Sequence, residues 1–208
     1  MRRTAITMLV SLFVPTLALA QRSDDTLSLA GKNIISLGVG LTGARDASAT
    51  GTQASTHATG GLGYIGYGHY VHPQAAIEVN VEVLSTDTFE QAGHSHTNTI
   101  TPVLFGIRYS PAPVALTRAV RPFVSVGAGP YVHTVADAND FGTVSATTET
   151  AAGARFGAGV DWYVARHFML RAEGDYHAVG SFEHPDALTE NASGFGFGFG
   201  MGFVWGGR

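Results

Sequence analysis

The sequence predicts an all-β fold, a single eight-stranded antiparallel up-and-down transmembrane β-barrel, and three observations carry that prediction. The stretch Gly194 to Trp205 places Phe195, Phe197, Phe199, Met201, Phe203 and Trp205 at every second position, with Gly194, Gly196, Gly198, Gly200 and Gly202 between them. A period of two is a strand, and six large apolar groups on one face call for lipid, with the glycine face turned to a tight interior. Eight alternating stretches of roughly ten residues follow one another, the length that crosses a bilayer at a tilt. The connections between them run long, short, long, middling, long, short, long. With both termini in the periplasm, the first, third, fifth and seventh connections lie outside, and those are the long ones.

Composition narrows the alternatives. The 208-residue chain has no cysteine, which excludes a lipoprotein anchor, disulfides, thiolate metal sites and a cysteine nucleophile. A formal charge of −4 is mild and argues against nucleic acid as a partner. Arg2 and Arg3, the apolar stretch from Ala5 to Ala18 and the Ala18-Leu19-Ala20 site predict a secretory signal peptide over residues 1–20. Residues 21–31 then form a periplasmic lead-in, 32–205 the barrel and 206–208 a short tail. Beyond the signal no run reaches the ~18 apolar residues a membrane helix needs. Lys32 is the only lysine, and helix formers are scarce beside glycine, threonine and aromatics.

The strands justify themselves in order. Lys32 to Thr42 alternates Ile35, Leu37, Val39 and Leu41 with Ile34, Ser36, Gly38 and Gly40, and Gly43 to Gly60 is an aperiodic loop. Gly61 to Val71 has Leu62, Tyr64 and Tyr70 on one face and Ile65, Tyr67 and His69 on the other, which leaves its facing open. A turn at His72-Pro73 leads into Ala75 to Leu84, the cleanest alternation, with Ile77, Val79, Val81 and Val83 against Glu78, Asn80 and Glu82. After a polar loop from Ser85 to Thr97, Asn98 to Tyr109 forms the fourth strand, weakened at Pro102, which cannot donate to a ladder. Ser110 to Arg121 connects to the fifth strand, Pro122 to His133, and a third polar loop runs from Thr134 to Thr150. The sixth strand sets Ala152, Ala154, Phe156, Ala158, Val160 and Trp162 against Gly153, Arg155, Gly157, Gly159 and Asp161. A turn within Tyr163 to His167 leads to the seventh, Phe168 to Ala178, and Val179 to Ser193 is the last outer loop.

This facing turns Glu78, Glu82, Asp161, Glu173 and Asp175 inward against Arg108, Arg155 and Arg171, with His177 as a possible fourth cation. Eight strands enclose room for side chains or one small ligand. Paired charges there form a plug, since unpaired ones are costly. The short sixth turn puts Arg155 opposite Asp175 near the outer end and makes Asp161 and Arg171 diagonal neighbours near the periplasmic end. A structural network is the expected role, and an ion- or proton-conducting chain is the alternative.

The mature chain resembles the small OmpA/OmpX-like outer-membrane β-barrel family over roughly Lys32 to Trp205. Arg121-Pro122-Phe123-Val124-Ser125-Val126-Gly127-Ala128-Gly129 is similar to a strand-opening segment of that family, and Gly200-Met201-Gly202-Phe203-Val204-Trp205 to its C-terminal assembly signal. The resemblance implies a place in a Gram-negative outer membrane, outer-membrane lipid and the barrel assembly machinery as partners, and Gly200, Phe203 and Trp205 as the assembly signal. Members usually end on the aromatic residue, whereas Gly206-Gly207-Arg208 follows Trp205 here. The family has no common reaction, and its members include anchors, adhesion or resistance proteins and occasional lipid enzymes.

Other groupings have bland readings beside the functional ones. His94 and His96, with His57 and His184 on neighbouring loops, suit zinc or copper, but loop histidines on a polar surface are commoner. Asp137, Asn139, Asp140 and Gly142 are similar to a calcium loop, yet Phe141 and Thr148 stand where ligands belong. Asn191-Ala192-Ser193 is a glycosylation acceptor only in form. His177, Ser181, Glu183 and His184 hold the residue types of a hydrolase without a family-like signature. Gly127, Gly129, Gly157 and Gly159 lie in strands with no following helix, so they make space and cradle no phosphate. The expectation is a non-enzymatic envelope protein, without catalytic, metal or cofactor residues, whose outer loops touch host or envelope surface ligands. A narrow porin-like channel stands second, with Pro102 the hint of a gap in the wall, and a lipid-modifying enzyme third.

Overall fold

The computed structural model describes residues 28–43, 47–48, 60–91, 94–111, 119–139, 144–183, 189–190 and 193–207. The predicted signal peptide, most of the lead-in, His57, Asp140, His184 and Asn191 lie outside them. Eight strands form the wall: β1 Lys32–Thr42, β2 Gly60–His72, β3 Ala75–Gln91, β4 His94–Tyr109, β5 Val120–Asn139, β6 Val144–Ala165, β7 Phe168–Val179 and β8 Gly194–Gly206. Each pairs antiparallel with its neighbour in sequence, and β8 closes the barrel on β1, from Lys32 opposite Gly206 to Thr42 opposite Gly196. No described helix is long and apolar enough to cross a membrane; the strands do the crossing.

The outer skin is apolar. Val39, Leu41, Phe105, Phe195 and Phe199 are 60–70% exposed, an arrangement that water penalises and lipid does not. The open facing of β2 resolves with Leu62, Tyr64 and Tyr70 inward and Ile65, Tyr67 and His69 outward. The outward polar tips are satisfied locally, since Asn33 Oδ1 accepts from the Tyr67 hydroxyl at 2.8 Å and lies 2.9 Å from His69 Nδ1.

Both short turns carry the same correction device. Two residues, Pro73-Gln74 and Arg166-His167, separate His72 from Ala75 and Ala165 from Phe168, which are paired. Those pairings set an odd residue opposite an even one, whereas residues directly opposite must face the same side of the sheet. A bulge in the ladder between Tyr70 and His72, and another between Tyr163 and Ala165, restores matching faces. From there Tyr70 pairs with Ala76 and Asp161 with Arg171.

Two expected loops are corrected. Most of Ser85 to Thr97 and of Thr134 to Thr150 is strand: β3 and β4 pair out to Gln91 and His94, and β5 and β6 to Ala138 and Val144. β4 also pairs with β5 out to His94 opposite Asn139, so β3 to β6 rise together as one sheet. β2 stops opposite β3 at Ser85, and β7 stops opposite β6 at Gly153. The raised part stands on the order of 20 Å beyond its neighbours at about 3.3 Å per residue. The rim is therefore high on one side and low on the other. Ala47–Ser48, Thr189–Glu190 and Phe182–Glu183 form a separate small three-stranded patch.

Pro102 leaves no lateral opening. The β4–β5 ladder skips Val103 and Leu104 but resumes in the same register at Phe105 opposite Ala128. Gly129 lies so close to the Val103 carbonyl that a Cβ there would overlap it.

Candidate functional site

The lumen is filled in layers. At the periplasmic end Leu29, Ile34, Tyr70, Ala76, Tyr163, Met169 and Val204 form an apolar plug. At the outer end Leu62, Leu84, Ile100, Leu104, Tyr131 and Phe182 form another. Phe182 comes from beyond β7 and packs 5.0 Å from the His133 ring. The interior is thus less polar than the sequence predicts, because residues flanking the strands, Leu29 and Phe182, fold back into it.

Between the plugs lie two ionic clusters. In the periplasmic one, Asp161 accepts from Arg171 Nε at 2.7 Å and Nη2 at 3.2 Å and from Arg108 Nη1 at 3.0 Å. Arg108 Nε also meets Glu78 at 2.6 Å, and Arg171 Nη1 reaches the Ser36 hydroxyl at 3.4 Å. The Phe123 ring lies under both guanidiniums, 3.9 Å from that of Arg108 and 5.1 Å from that of Arg171. Two cations and two carboxylates balance.

In the outer cluster Arg155 meets Glu173 at 2.6 Å, Glu82 at 3.3 Å and Asp175 at 3.6 Å. His177 Nε2 lies 3.0 Å from Asp175 and 3.5 Å from Glu82, and its Nδ1 lies 2.9 Å from the Tyr131 hydroxyl. Three carboxylates face one arginine and one histidine. A cavity of about 10 Å³, room for about one water, separates the clusters and is lined by Glu78, Asn80, Ser125 and Arg155 among others.

Two predicted pairings are corrected. Arg155 stands opposite His177, and Asp175 opposite Gly157; Asp161 and Arg171 are directly opposite each other. The bulge at the sixth turn shifts the register, while the length of the arginine side chain still brings Arg155 to Asp175.

Sequence reading missed several lumen residues. Arg121, assigned to a connector, is the second residue of β5, only 7% exposed, with its guanidinium 5.8 Å from the Tyr163 ring. His133 is buried at the outer end. The glycine face of β8 has a definite occupant: the Tyr64 ring reaches from β2 across β1 to lie over Gly38 and Gly200. Parity with Phe123 and Tyr131 puts Arg121 and His133 on the inward face of β5, whereas the facing of Tyr64, open in the sequence, is resolved by the structure, and only the hydrogen-bonded register reveals what each meets.

The other groupings separate. His177 is fully buried among Glu82, Asp175 and Tyr131, while Ser181 is exposed beyond the end of β7. His94 and His96 stand opposite Asn139 and Asp137 along the raised sheet. Among the described residues no three His, Asp or Glu are placed to hold a metal ion. Gly157 adjoins Ser125 Oγ and Glu173 Oε1, and Gly159 adjoins the Phe123 ring, so both leave room for lumen side chains.

A closed eight-stranded barrel with an apolar skin and an ion-paired, filled interior defines a transmembrane β-barrel protein. The chain belongs to the outer membrane protein β-barrel domain family, whose model matches residues 5–203, and this family is one of the outer membrane. No curated protein sequence matches the chain. Among solved structures, a major outer membrane protein from Thermus thermophilus is similar at a TM-score of 0.59 and 10% identity, covering 85% of this chain and 100% of that one. Neisserial surface protein A is similar at 0.58 and 14%, covering 84% and 97%. Ail, the attachment invasion locus protein of Yersinia pestis, solved with the heparin analogue sucrose octasulfate, is similar at 0.53 and 15%, covering 85% and 99%. At these identities the likeness is one of fold.

Proposed function

We propose that this is a non-enzymatic surface-interaction protein of the outer membrane, exported through residues 1–20. Gly200, Phe203 and Trp205 present the assembly signal to the barrel assembly machinery. The raised wall of β3 to β6 is the contact element, and its pairing beyond the point where β2 and β7 stop, unbroken between β4, β5 and β6 and resuming after a bulge at Ser85 to Thr88 between β3 and β4, is the observation that carries the reading. A strand-built surface holds its shape without a partner, so less ordering entropy is lost on contact.

The chemistry of that wall differs from what a polyanion needs. Ail is solved with a heparin analogue. Here Ser85 to Asn98 and Thr134 to Thr150 contain Asp87, Glu90, Asp137, Asp140 and Glu149 and no lysine or arginine. Neutral or cationic surfaces fit, and sulfated ones do not. The test replaces residues 136–146 with an Asn-Gly turn, which joins Val135 to its partner Thr147. The variant is expected to fold, seen as an unchanged mobility shift on unheated gels, and its cells to lose at least about tenfold in retention on neutral glycans or cationic peptides. Equal retention of the two cell types, or retention of neither, overturns the reading.

The cavity between the ionic clusters supports a second reading, a narrow ion path. Apolar plugs close it at both ends, so the folded protein in a planar bilayer is expected to give no conductance steps. Reproducible steps abolished by a bulky residue at Gly157 would establish the channel instead.

A further inference from the structure

We infer that the lipid-facing wall carries, at its periplasmic edge, a binding site for the ammonium group of an ethanolamine phospholipid headgroup, formed by Tyr67, His69, Asn33 and Trp205. The residues come together by register. His69 on β2 stands opposite Asn33 on β1, and Asn33 stands opposite Trp205 on β8. Residues directly opposite share a face, so the three lie side by side on the lipid side, over roughly 10 Å at about 4.8 Å between strands. Tyr67, two residues from His69 on the same face, leans across β1 until its ring lies 6.3 Å from that of Trp205, at 51° to it. The two rings thus form a corner, with Tyr67 46% and Trp205 36% exposed.

The polar atoms beside that corner are fixed in direction. Asn33 Oδ1 is an acceptor only, and it takes the Tyr67 hydroxyl at 2.8 Å and the Nδ1–H of His69 at 2.9 Å. With its proton on Nδ1, the neutral imidazole presents Nε2 as an acceptor on an exposed ring. An aromatic corner attracts a cation, and a lone pair beside it accepts an N–H. A primary ammonium satisfies both, whereas a choline headgroup, which has no N–H, satisfies only the first. Lys32, next to Asn33 in the chain, does not repel it there, since it belongs to the other face of β1 with Ile34 and Ser36.

Two features set the depth of the corner and keep it uncovered. Trp205 stacks on Phe203 at 6.2 Å and Phe203 on His167 at 5.9 Å, a shelf where the exposed apolar band of Ile35, Leu37 and Met201 ends. Aromatic side chains at such an edge sit at headgroup level. An aromatic belt by itself is indifferent to the headgroup it meets; the His69 acceptor supplies the choice. The chain continues past Trp205, yet Gly206 and Gly207 hold positive φ of 80° and 75°, a conformation that glycine adopts freely. They turn the tail inward, where Gly207 adjoins the Lys32 stem and the Ala30 carbonyl. The corner is left to lipid.

The test folds the mature chain into phosphatidylcholine vesicles holding one-fifth phosphatidylethanolamine, extracts it in mild detergent and measures the ratio of the two lipids that stay bound. Wild-type protein is expected to retain phosphatidylethanolamine at several times the bulk ratio. Tyr67→Leu and His69→Leu should each return the ratio to the bulk value, and leucine suits a lipid-facing position. Tyr176→Leu, in the outer aromatic pair with Phe195, should leave the enrichment unchanged. A wild-type ratio equal to bulk, an enrichment that survives either of the first two substitutions, or one lost equally in Tyr176→Leu overturns the inference. A second measurement needs no variant. In detergent micelles, short-chain phosphatidylethanolamine should shift the NMR signals of the Trp205 indole and the His69 ring more than short-chain phosphatidylcholine does, and equal shifts overturn the inference as well.

Discussion

Asp161→Ala is expected to lower the folding stability of the barrel by about 3–5 kcal/mol, the usual cost of leaving a buried charge without its partner. Asp161 is the shared acceptor of two guanidiniums, and both arginines and the carboxylate are almost wholly buried. Its loss leaves Arg171 with the Ser36 hydroxyl and Arg108 with Glu78. Urea-dependent folding into lipid vesicles measures the effect. Adding Arg171→Met should recover a large part of it, because an apolar side chain of similar length removes the stranded charge. A single variant with the wild-type midpoint would show that water reaches these groups and that the plug is not the closed network described above.

Gly200→Ala is expected to cost about 1–3 kcal/mol, while Gly198→Ala, two residues earlier on the same face, costs nothing or stabilises by up to about 1 kcal/mol. A Cβ on Gly200 would run into the Tyr64 hydroxyl and lie 2.6 Å from the Leu37 carbonyl. A Cβ on Gly198 would meet its nearest neighbours at 3.5–3.8 Å, ordinary contact. Tyr64→Ala in the Gly200→Ala background should restore part of the loss and leave the part due to the carbonyl. Equal effects at the two glycines in the same unfolding measurement would remove Tyr64 from the slot assigned to it.

These two positions show where the sequence was legible and where it was not. Alternation alone gives the skin of β8 and its inward glycines, because one face meets lipid and the other a crowded interior. It cannot distinguish Gly198 from Gly200, since that depends on a tyrosine two strands away. Asp161 and Arg171 are recognisable as inward charges from their parity, yet their direct opposition follows from a bulge that no residue type announces. The raised sheet was invisible for a different reason. Above the lipid-facing band a strand no longer needs an apolar face, so Thr134 to Thr150 shows no apolar alternation and reads as a loop. Leu29 and Phe182 escaped notice because an isolated apolar residue next to polar neighbours carries no period at all.

The periplasmic cluster also bears on time. Its members come from β1, β3, β4, β6 and β7, and the Arg171–Ser36 hydrogen bond joins residues 135 positions apart. Arg171–Asp161 and Arg108–Glu78 join neighbouring strands, but the Arg171–Ser36 contact reaches across β8 and waits until the last strand has met the first. Interactions made after the folding barrier slow unfolding and leave the folding rate almost untouched. Once inserted, the barrel is held less by how fast it assembles than by how long it takes to come apart, which suits a protein in a compartment from which it is not readily replaced.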